Sequence, residues 1–207
     1  WLLAGAERLV YNAMQAVVYD RNGANYCGRL WWMLKWAGHE AVAVLDGGLP
    51  AWRAAGGAIE AGPSAPPKPA VFRARFDAGA VAGLEDVRQA LAQGEAQVAD
   101  ARGAARFRGE APEPRPGVRA GHMPGALNLP YADLLAPDGR LKRGSALQAA
   151  FLAAGVDIAR PVVTSCGSGV TAAILSLGLA ELGRASRLYD GSWAEWGGRQ
   201  DTPIETG

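Results

Sequence analysis

The sequence predicts an α/β protein made of two similar units, each with a parallel β-sheet flanked by helices. Three observations support this fold class. Short β-prone segments alternate with helical segments along the chain, which is the pattern of parallel sheets. Several motifs recur at a separation of 144 or 145 residues, which indicates an internal duplication. A segment with four prolines, residues 61–69, separates the two copies.

The first unit contains two predicted strands and two predicted helices. Apolar, β-prone residues predict strands at Ala16–Tyr19 and Ala41–Leu45. The segment between them predicts a helix over Gly28–Ala37, and a short helix is expected to begin at Leu49. This order of strand, helix, strand and helix is that of a parallel repeat.

The second unit follows the same alternation and contains one long loop after its first strand. We expect its sheet to be parallel and covered by helices on both faces. The predicted helices are Leu84–Gln93, Ser145–Ala154 and Thr171–Leu182, and the predicted strands are Gln97–Asp100, Val162–Thr164 and Arg187–Tyr189.

Two pairs of motifs carry the internal repeat. The sequence "VVYD" at Val17 corresponds to "VVTS" at Val162, and "LDGGLPAW" from Leu45 corresponds to "YDGSWAEW" from Tyr189. The counterpart of Asp100 in the first unit would fall before residue 1. We therefore expect the first unit to be truncated.

Charge and hydropathy exclude several classes of function. The chain has 21 Lys and Arg residues against 20 Asp and Glu residues, and this balance gives no support for nucleic-acid or anionic-membrane binding. No apolar run approaches the roughly 18 residues of a membrane span. The sequence also shows no signal peptide. Its two cysteines form no C-x-x-C pair and favour a reducing compartment, so a cytoplasmic protein is expected.

The chain has two cysteines and two histidines, and their spacing matches no familiar zinc site. No metal is therefore expected. Cys27 lies in a predicted helix among aromatic residues, which favours a buried structural cysteine.

Cys166 lies where a predicted strand turns into a predicted helix. Ligands of open parallel sheets bind beyond the carboxyl ends of the strands. The glycines in residues 167–171 allow successive backbone N–H groups to converge on an anion, and the following helix adds its positive N-terminal end. This placement favours a thiolate and makes Cys166 a candidate nucleophile.

The first copy has Arg21 at the position that corresponds to Cys166. Only the second copy therefore keeps a thiol at this turn. We assign residues 1–60 to a truncated, non-catalytic unit, residues 61–75 to a proline-rich linker and residues 76–207 to the catalytic unit.

Cys166 is also open to four other interpretations. A buried structural cysteine is disfavoured by its position inside a glycine-rich turn. The segment "GSGVTA" with Asp190 fits a dinucleotide-binding motif, but too few residues follow for such a domain. A cysteine phosphatase requires an arginine where this chain has Ala172. A Cys–His hydrolase would use His122, which lies in a Gly- and Pro-rich turn where a structural histidine is equally expected.

The long loop after the first strand of the second unit carries five arginines and three opposing acids. Most of these charges are expected to pair within the loop. Because the loop starts at the sheet edge where Cys166 is expected, one or two arginines are predicted to hold a small anionic substrate against the thiolate. The arginines are Arg102, Arg106, Arg108, Arg115 and Arg119, and the acids are Asp100, Glu110 and Glu113.

Three segments together resemble the tandem-domain rhodanese-type sulfurtransferases, and most of all the 3-mercaptopyruvate branch of that family. They are "DARGAARFRGEAPEPRPGVRAGHMPGALNLPY", "VVTSCGSGVTAA" and "YDGSWAEWG". The segment "VVYDRNGANYCGRLWWMLKWAGHEAVAVLDGGLPAW" resembles the inactive N-terminal domain of the family. The resemblance thus covers nearly the whole chain.

The resemblance implies a sulfur-transfer reaction and a set of site residues. Cys166 would attack the sulfur of a donor and carry it as a persulfide, which a thiol or cyanide would then remove. Arg106 and Arg115 would grip the carboxylate and carbonyl of a keto acid. Ser168 would form a hydrogen bond within the site. The active-site loop of the family corresponds to Cys166 followed by Gly167, Ser168, Gly169, Val170 and Thr171.

The resemblance also bears on donor and partners. Residues 167–171 carry no charge, which favours 3-mercaptopyruvate over the dianion thiosulfate. No metal or organic cofactor is implied, and the acceptor would be a thiol, such as a thioredoxin-like protein. In the 3-mercaptopyruvate branch an Asp and a His of the N-terminal domain complete the site, and their segment is missing from this chain. A catalytically silent rhodanese-like binding module is therefore the alternative.

Overall fold

The structure is a computed structural model that describes residues 14–21, 26–63 and 71–207. The described residues form a two-stranded and a five-stranded sheet, and every pair of neighbouring strands in them is parallel. The predicted α/β class with parallel sheets is confirmed. None of the helices in these ranges is long and apolar enough to span a membrane.

The first unit is a small sheet with one helix crossing between its strands. Strands β1 (Ala16–Val18) and β2 (Val42–Val44) pair in parallel, and helix α1 (Cys27–Trp36) connects them. Trp31 and Trp32 are buried on α1, because the helix lies against the second unit. Helix α2 (Gly48–Ala54) follows β2, as predicted.

The second unit has the strand order β3-β7-β6-β4-β5. Its central strands are buried on both faces, which explains why their sequences are short, apolar runs. The strands are β3 (Val81–Ala82), β4 (Gln97–Asp100), β5 (Leu127–Asn128), β6 (Val162–Ser165) and β7 (Arg187–Tyr189), and the helices are α3 (Leu84–Gln93), α4 (Ala104–Phe107), α5 (Gly144–Ala153), α6 (Ala172–Glu181) and α7 (Ser192–Trp196).

The sequence did not predict four short helices and strands of the second unit, and helix α7 after strand β7 is one of them. Helix α4 lies inside the segment that was interpreted as one long loop, and strands β3 and β5 have two residues each. Pairing with a neighbouring strand stabilises strands this short, and two residues are too few to show a periodic pattern in the sequence. Of the predicted linker, residues 64–70 lie outside the described residues, and the flanking residues 61–63 and 71–75 form no helix or strand.

The two units share one hydrophobic core. Helix α1 packs against α6, and the same buried cluster contains Trp31 and Trp32 of the first unit and Leu175 and Leu179 of the second. Because these side chains fill a common interior, the position of the second unit's α6 depends on the first unit.

The duplicated Asp-Gly motif joins the units in both directions. Asp46 of the first unit accepts hydrogen bonds from Leu141 N at 2.9 Å and from Arg143 Nη2 at 3.1 Å. Its counterpart Asp190 forms an ion pair with Arg29 Nη2 of the first unit at 2.7 Å. The repeat found in the sequence therefore places an aspartate of each unit at the junction with the other.

Candidate active site

Cys166 directly follows β6, the middle strand of the five-stranded sheet, and its side chain is buried. The corner after β7 holds its backbone. Cys166 N donates to Ser192 Oγ at 3.2 Å, and Cys166 O accepts from Trp193 N at 2.9 Å. Ser192 Oγ in turn donates to Tyr189 O at 2.8 Å. The thiol is thus fixed at the carboxyl edge of the sheet, where ligands of such sheets bind.

Ser192 was not identified from the sequence as a site residue. Its φ of 50° is the one positive value among the non-glycine residues that the structure describes. A non-glycine residue in this region is uncommon, and such strain concentrates at functional sites. In this conformation the Ser192 hydroxyl accepts from the Cys166 amide, and the duplicated Asp-Gly pair before Ser192 was the available signal for it in the sequence.

The residues after Cys166 form a cradle of backbone amides. Ser168 N donates to Cys166 Sγ at 3.4 Å, which is a hydrogen bond to sulfur. Within the described part of the chain, the N–H groups of Gly167, Gly169, Val170 and Thr171 donate to no other protein group. Unpaired N–H groups at the start of a helix are an anion site. The cradle can therefore stabilise negative charge on or beside the sulfur.

A cavity of about 380 Å³ opens over the thiol. This volume lies at the lower end of the range for small-molecule sites, which is about 300–1,000 Å³. The lining mixes loop backbone, charged side chains and two phenols. It consists of Tyr26, Arg106, Glu113, Pro114, Arg115, Val118, Tyr131, Cys166, Gly167, Ser168, Val170, Thr171 and Ala194.

Arg106 reaches the cavity from α4 and lies over the loop. An ideal Cβ built on Gly167 would come within 2.9 Å of Arg106 Nη2, so a larger residue here would displace the guanidinium. The guanidinium is paired with Glu113, through Nη2 to Oε2 at 2.5 Å and Nε to Oε1 at 3.3 Å. Arg106 is therefore held in place but is partly neutralised.

Glu113 is itself part of a buried ionic chain. Its side chain is 4% exposed, and it also accepts from Arg102 Nη1 at 2.9 Å. Arg102 is buried and binds Asp100 through both Nε and Nη2. The charges of Arg102 and Arg106 are thus balanced by those of Asp100 and Glu113. The sequence showed Glu113 only as one of the opposing acids in the loop.

Arg115 differs from the other loop arginines. It lines the cavity, and within the residues described its guanidinium forms no hydrogen bond or ion pair. Since Arg106 and Glu113 compensate each other, Arg115 leaves the ionisable side chains of the cavity wall with a net positive charge. This charge is available to a small anion.

The remaining loop arginines are paired away from the cavity, as the sequence predicted for most of these charges. Arg108 pairs with Glu110 on the surface, and Arg119 donates to backbone carbonyl groups that include those of Gly197 and Thr202. These side chains hold the loop together.

His122 is not in the wall of the cavity. Its ring stacks on Phe107 with centroids 3.9 Å apart, and its Nδ1 lies 2.9 Å from Phe107 O. This arrangement is that of a structural histidine and gives no support to a Cys–His hydrolase.

Cys27 is a buried thiol in the core between the units. Burial raises its pKa to about 12, and the negative charge of Asp20 acts in the same direction. A thiol in this state is a poor nucleophile at neutral pH. The structural role that the sequence suggested for Cys27 fits its surroundings.

The chain was compared with known proteins. The sequence model of the rhodanese-like domain matches residues 3–55 and 83–199. The 3-mercaptopyruvate sulfurtransferase of Escherichia coli (strain K12) is 45% identical over 190 residues, which are 91% of this chain and 67% of that protein. The thiosulfate/3-mercaptopyruvate sulfurtransferase 1, mitochondrial, of Arabidopsis thaliana is 37% identical, over 98% of this chain and 59% of that protein.

The fold is also similar to that of solved sulfurtransferase structures. The crystal structure of SseA from Escherichia coli, described as a 3-mercaptopyruvate sulfotransferase of rhodanese fold, superposes with a TM-score of 0.81 at 40% identity and covers 93% of this chain and 72% of that one. The chain thus spans about three fifths to two thirds of the two curated relatives. The matches extend over both units, and the chain belongs to the rhodanese family, among its sulfurtransferases.

Proposed function

We propose that this chain transfers a sulfur atom from 3-mercaptopyruvate to a thiol acceptor, with Cys166 as the nucleophile. One observation carries the proposal. The Cys166 thiol faces a small cavity whose wall holds unpaired backbone amides and the unpaired Arg115 side chain. In this assignment residues 76–207 carry the chemistry, residues 61–75 are the linker, and residues 1–60 are non-catalytic.

In the first step the Cys166 thiolate attacks the sulfur of the donor. The new S–S bond forms as the C–S bond of the donor breaks, and the electron pair of that bond passes to carbon as the enolate of pyruvate. The enolate then takes a proton, and Cys166 is left as a persulfide. No external oxidant or reductant is needed, because the donor balances the step itself: its thiol sulfur is oxidised to the sulfane level, and the carbon that carried it is reduced to the methyl carbon of pyruvate.

The second step returns the enzyme to its starting state. An acceptor thiolate attacks the outer sulfur of the persulfide, and Cys166 leaves as a thiolate. The amides of the loop would stabilise the anion at both stages, since Ser168 N already donates to Cys166 Sγ and the N–H groups of Gly167, Val170 and Thr171 have no partner in the described residues. A thiol acceptor, including a thioredoxin-like protein, and cyanide both fit this step.

The cationic side chains would hold the donor. Arg115 has its guanidinium free for the carboxylate of the keto acid, and Arg106 lies beside Gly167, close to the reacting sulfur. A guanidinium near the developing enolate lowers the energy of the transition state. The net positive charge of the wall matches a monoanion. We infer that 3-mercaptopyruvate is preferred and that thiosulfate, a dianion, is a weaker donor.

Intact-protein mass spectrometry tests the proposal directly. After incubation with 3-mercaptopyruvate the protein should gain the mass of one sulfur atom, and Cys166→Ser should gain none. Absence of the gain with both 3-mercaptopyruvate and thiosulfate would overturn the proposed activity of this chain.

A matched pair of variants tests the role of Arg115. Arg115→Met should raise KM for 3-mercaptopyruvate by about 10–100-fold, the value of one or two hydrogen bonds to a charged group. Arg108→Met removes an equal charge from the same loop, but its surface pair with Glu110 is remote from the lining. Equal effects of the two substitutions would contradict the assignment.

A further inference from the structure

One side chain of the first unit reaches the active-site loop of the second. Arg29, on α1, donates from Nη1 to Gly169 O at 3.2 Å and pairs through Nη2 with Asp190 Oδ1 at 2.7 Å. Its guanidinium also lies over the Trp32 ring, 5.0 Å from the centroid. The side chain is 20% exposed. Arg29 is therefore fixed on three sides.

Gly169 is the one residue of the loop that turns away from the cavity. Its four neighbours in residues 167–171 line the cavity, whereas Gly169 does not. Its φ is +76°, and an ideal Cβ there would lie 2.8 Å from Asp190 Oδ1 and 3.2 Å from Arg29 Nη1. Arg29 and Asp190 thus contact the outer side of the loop, while Cys166 and the substrate space lie on its inner side.

The contact of Arg29 with the Gly169 carbonyl also determines the direction of the next N–H group. In a planar trans peptide the carbonyl and the following N–H point in opposite directions. Because Arg29 binds the carbonyl of Gly169, the N–H of Val170 must point the opposite way. Val170 lines the cavity, and its N–H donates to no protein group within the described residues. A hydrogen bond on the outer side therefore aims a free donor on the inner side.

Asp190, the ion-pair partner of Arg29, lies next to the segment that holds the Cys166 backbone. It directly follows β7 and precedes the corner where Ser192 Oγ accepts from Cys166 N. Arg29 therefore binds both segments that frame Cys166, the loop after β6 and the corner after β7.

We propose that Arg29 is a positioning residue for the active-site loop, by which the first unit takes part in the chemistry of the second. Its role is to orient the Gly169–Val170 peptide so that the amide cradle is formed before substrate arrives. The inference rests on the proposed function only in taking Cys166 as the reacting group.

The rival explanation is that Arg29 only holds the two units together. The chain offers a matched control, because Arg143 of the second unit binds Asp46 of the first at 3.1 Å and Asp46 corresponds to Asp190 in the repeat. Arg143 also pairs with Glu181 and contacts no residue of the loop among the described contacts. Loss of Arg143 therefore weakens the junction and leaves the loop untouched.

The test compares Arg29→Met, Arg29→Lys and Arg143→Met in the whole chain. Steady-state sulfur transfer from 3-mercaptopyruvate should show kcat lowered by about tenfold in Arg29→Met, which corresponds to about 1.4 kcal/mol of transition-state stabilisation. KM should change by less than about twofold, because Arg106 and Arg115 are unaltered. Arg29→Lys should recover part of kcat, and Arg143→Met should leave kcat unchanged.

A second measurement does not depend on activity. NMR relaxation of the Gly169 and Val170 amides should show order parameters that fall from about 0.85 to below about 0.6 in Arg29→Met only. Unchanged amide motion in Arg29→Met, or an equal loss of kcat in Arg143→Met, would overturn the inference. If the wild type transferred no sulfur, the proposed function would fail, and the relaxation data would still decide the role of Arg29.

Discussion

Replacement of Glu113 by glutamine tests how much the buried charges of Glu113 and its arginine partners contribute to stability. Glu113 is 4% exposed and accepts hydrogen bonds from Arg102 and Arg106. Glutamine keeps the size of the side chain but removes its negative charge. It also turns an NH₂ group, which only donates, towards arginine groups that only donate.

The expected loss of stability follows from the burial of these partners. Without Glu113, Asp100 is the remaining carboxylate for Arg102, which is 1% exposed, and Arg106 loses its pair. Removing one partner of a buried ionic group costs about 3–5 kcal/mol, because a charge is left uncompensated. For a chain of this size that is a decrease in Tm of roughly 6–20 °C.

Thermal and urea unfolding of Glu113→Gln measure this loss, with Glu110→Gln as the control. Glu110 pairs with Arg108 on the surface, so its removal should change the free energy of unfolding little. A second readout is donor preference. The substitution adds one positive charge to the cavity wall, and we expect the use of thiosulfate relative to 3-mercaptopyruvate to rise.

The reasoning would be refuted by a loss of less than about 1 kcal/mol in Glu113→Gln, the size expected for an exposed pair. It would also be refuted if both glutamine variants lost equal stability. Either result would mean that the chain of charges beneath the cavity is screened by water despite its burial.

Three further predictions concern groups around the site. Folding raises the pKa of Cys27 from 9.0 to about 12, so the unfolded chain loses this proton at lower pH than the folded chain. The free energy of unfolding should therefore fall as pH rises from about 9 to about 12. In urea titrations at these pH values, Cys27→Ala should remove that part of the pH dependence. Gly169→Ala should cost about 1–2 kcal/mol, because its φ is +76° and the methyl group would meet Asp190; sulfur loading by mass spectrometry should also slow. Tyr189→Phe removes the 2.7 Å hydrogen bond to Glu195 and should cost about 1 kcal/mol in thermal unfolding, whereas an unchanged Tm would show that water replaces the hydroxyl group.

The regular elements were predictable where the local sequence decides them. Helix α3 begins and ends at the predicted residues, since Gly83 N donates to Asp86 at its start and Gly94 adopts a left-handed conformation at its end. Helices α4 and α7 and the two-residue strands were missed. The two strands depend on pairing with distant segments, and the two helices have only four and five residues, which is too short for a periodic pattern.

The candidate site shows the same division. The position of Cys166 followed from a general rule about strand ends, and the glycine-rich turn was visible in the sequence. Which arginine of the loop would be free was not visible, because the pairing of Arg106 with Glu113 and the isolation of Arg115 depend on how the loop folds. Arg29 lies 140 residues before Gly169, so only the folded chain shows their contact.

The reciprocal aspartate contacts, together with the shared core, have a consequence for how the chain responds to cutting. Trp31 and Trp32 of the first unit lie in the same buried cluster as Leu175 of the second, and Asp46 binds across the junction. Proteolysis within residues 61–75 should therefore yield a nicked protein whose two fragments remain one particle in gel filtration under native conditions. The two units should also melt in a single transition, because neither can expose its side of the junction without dismantling the other.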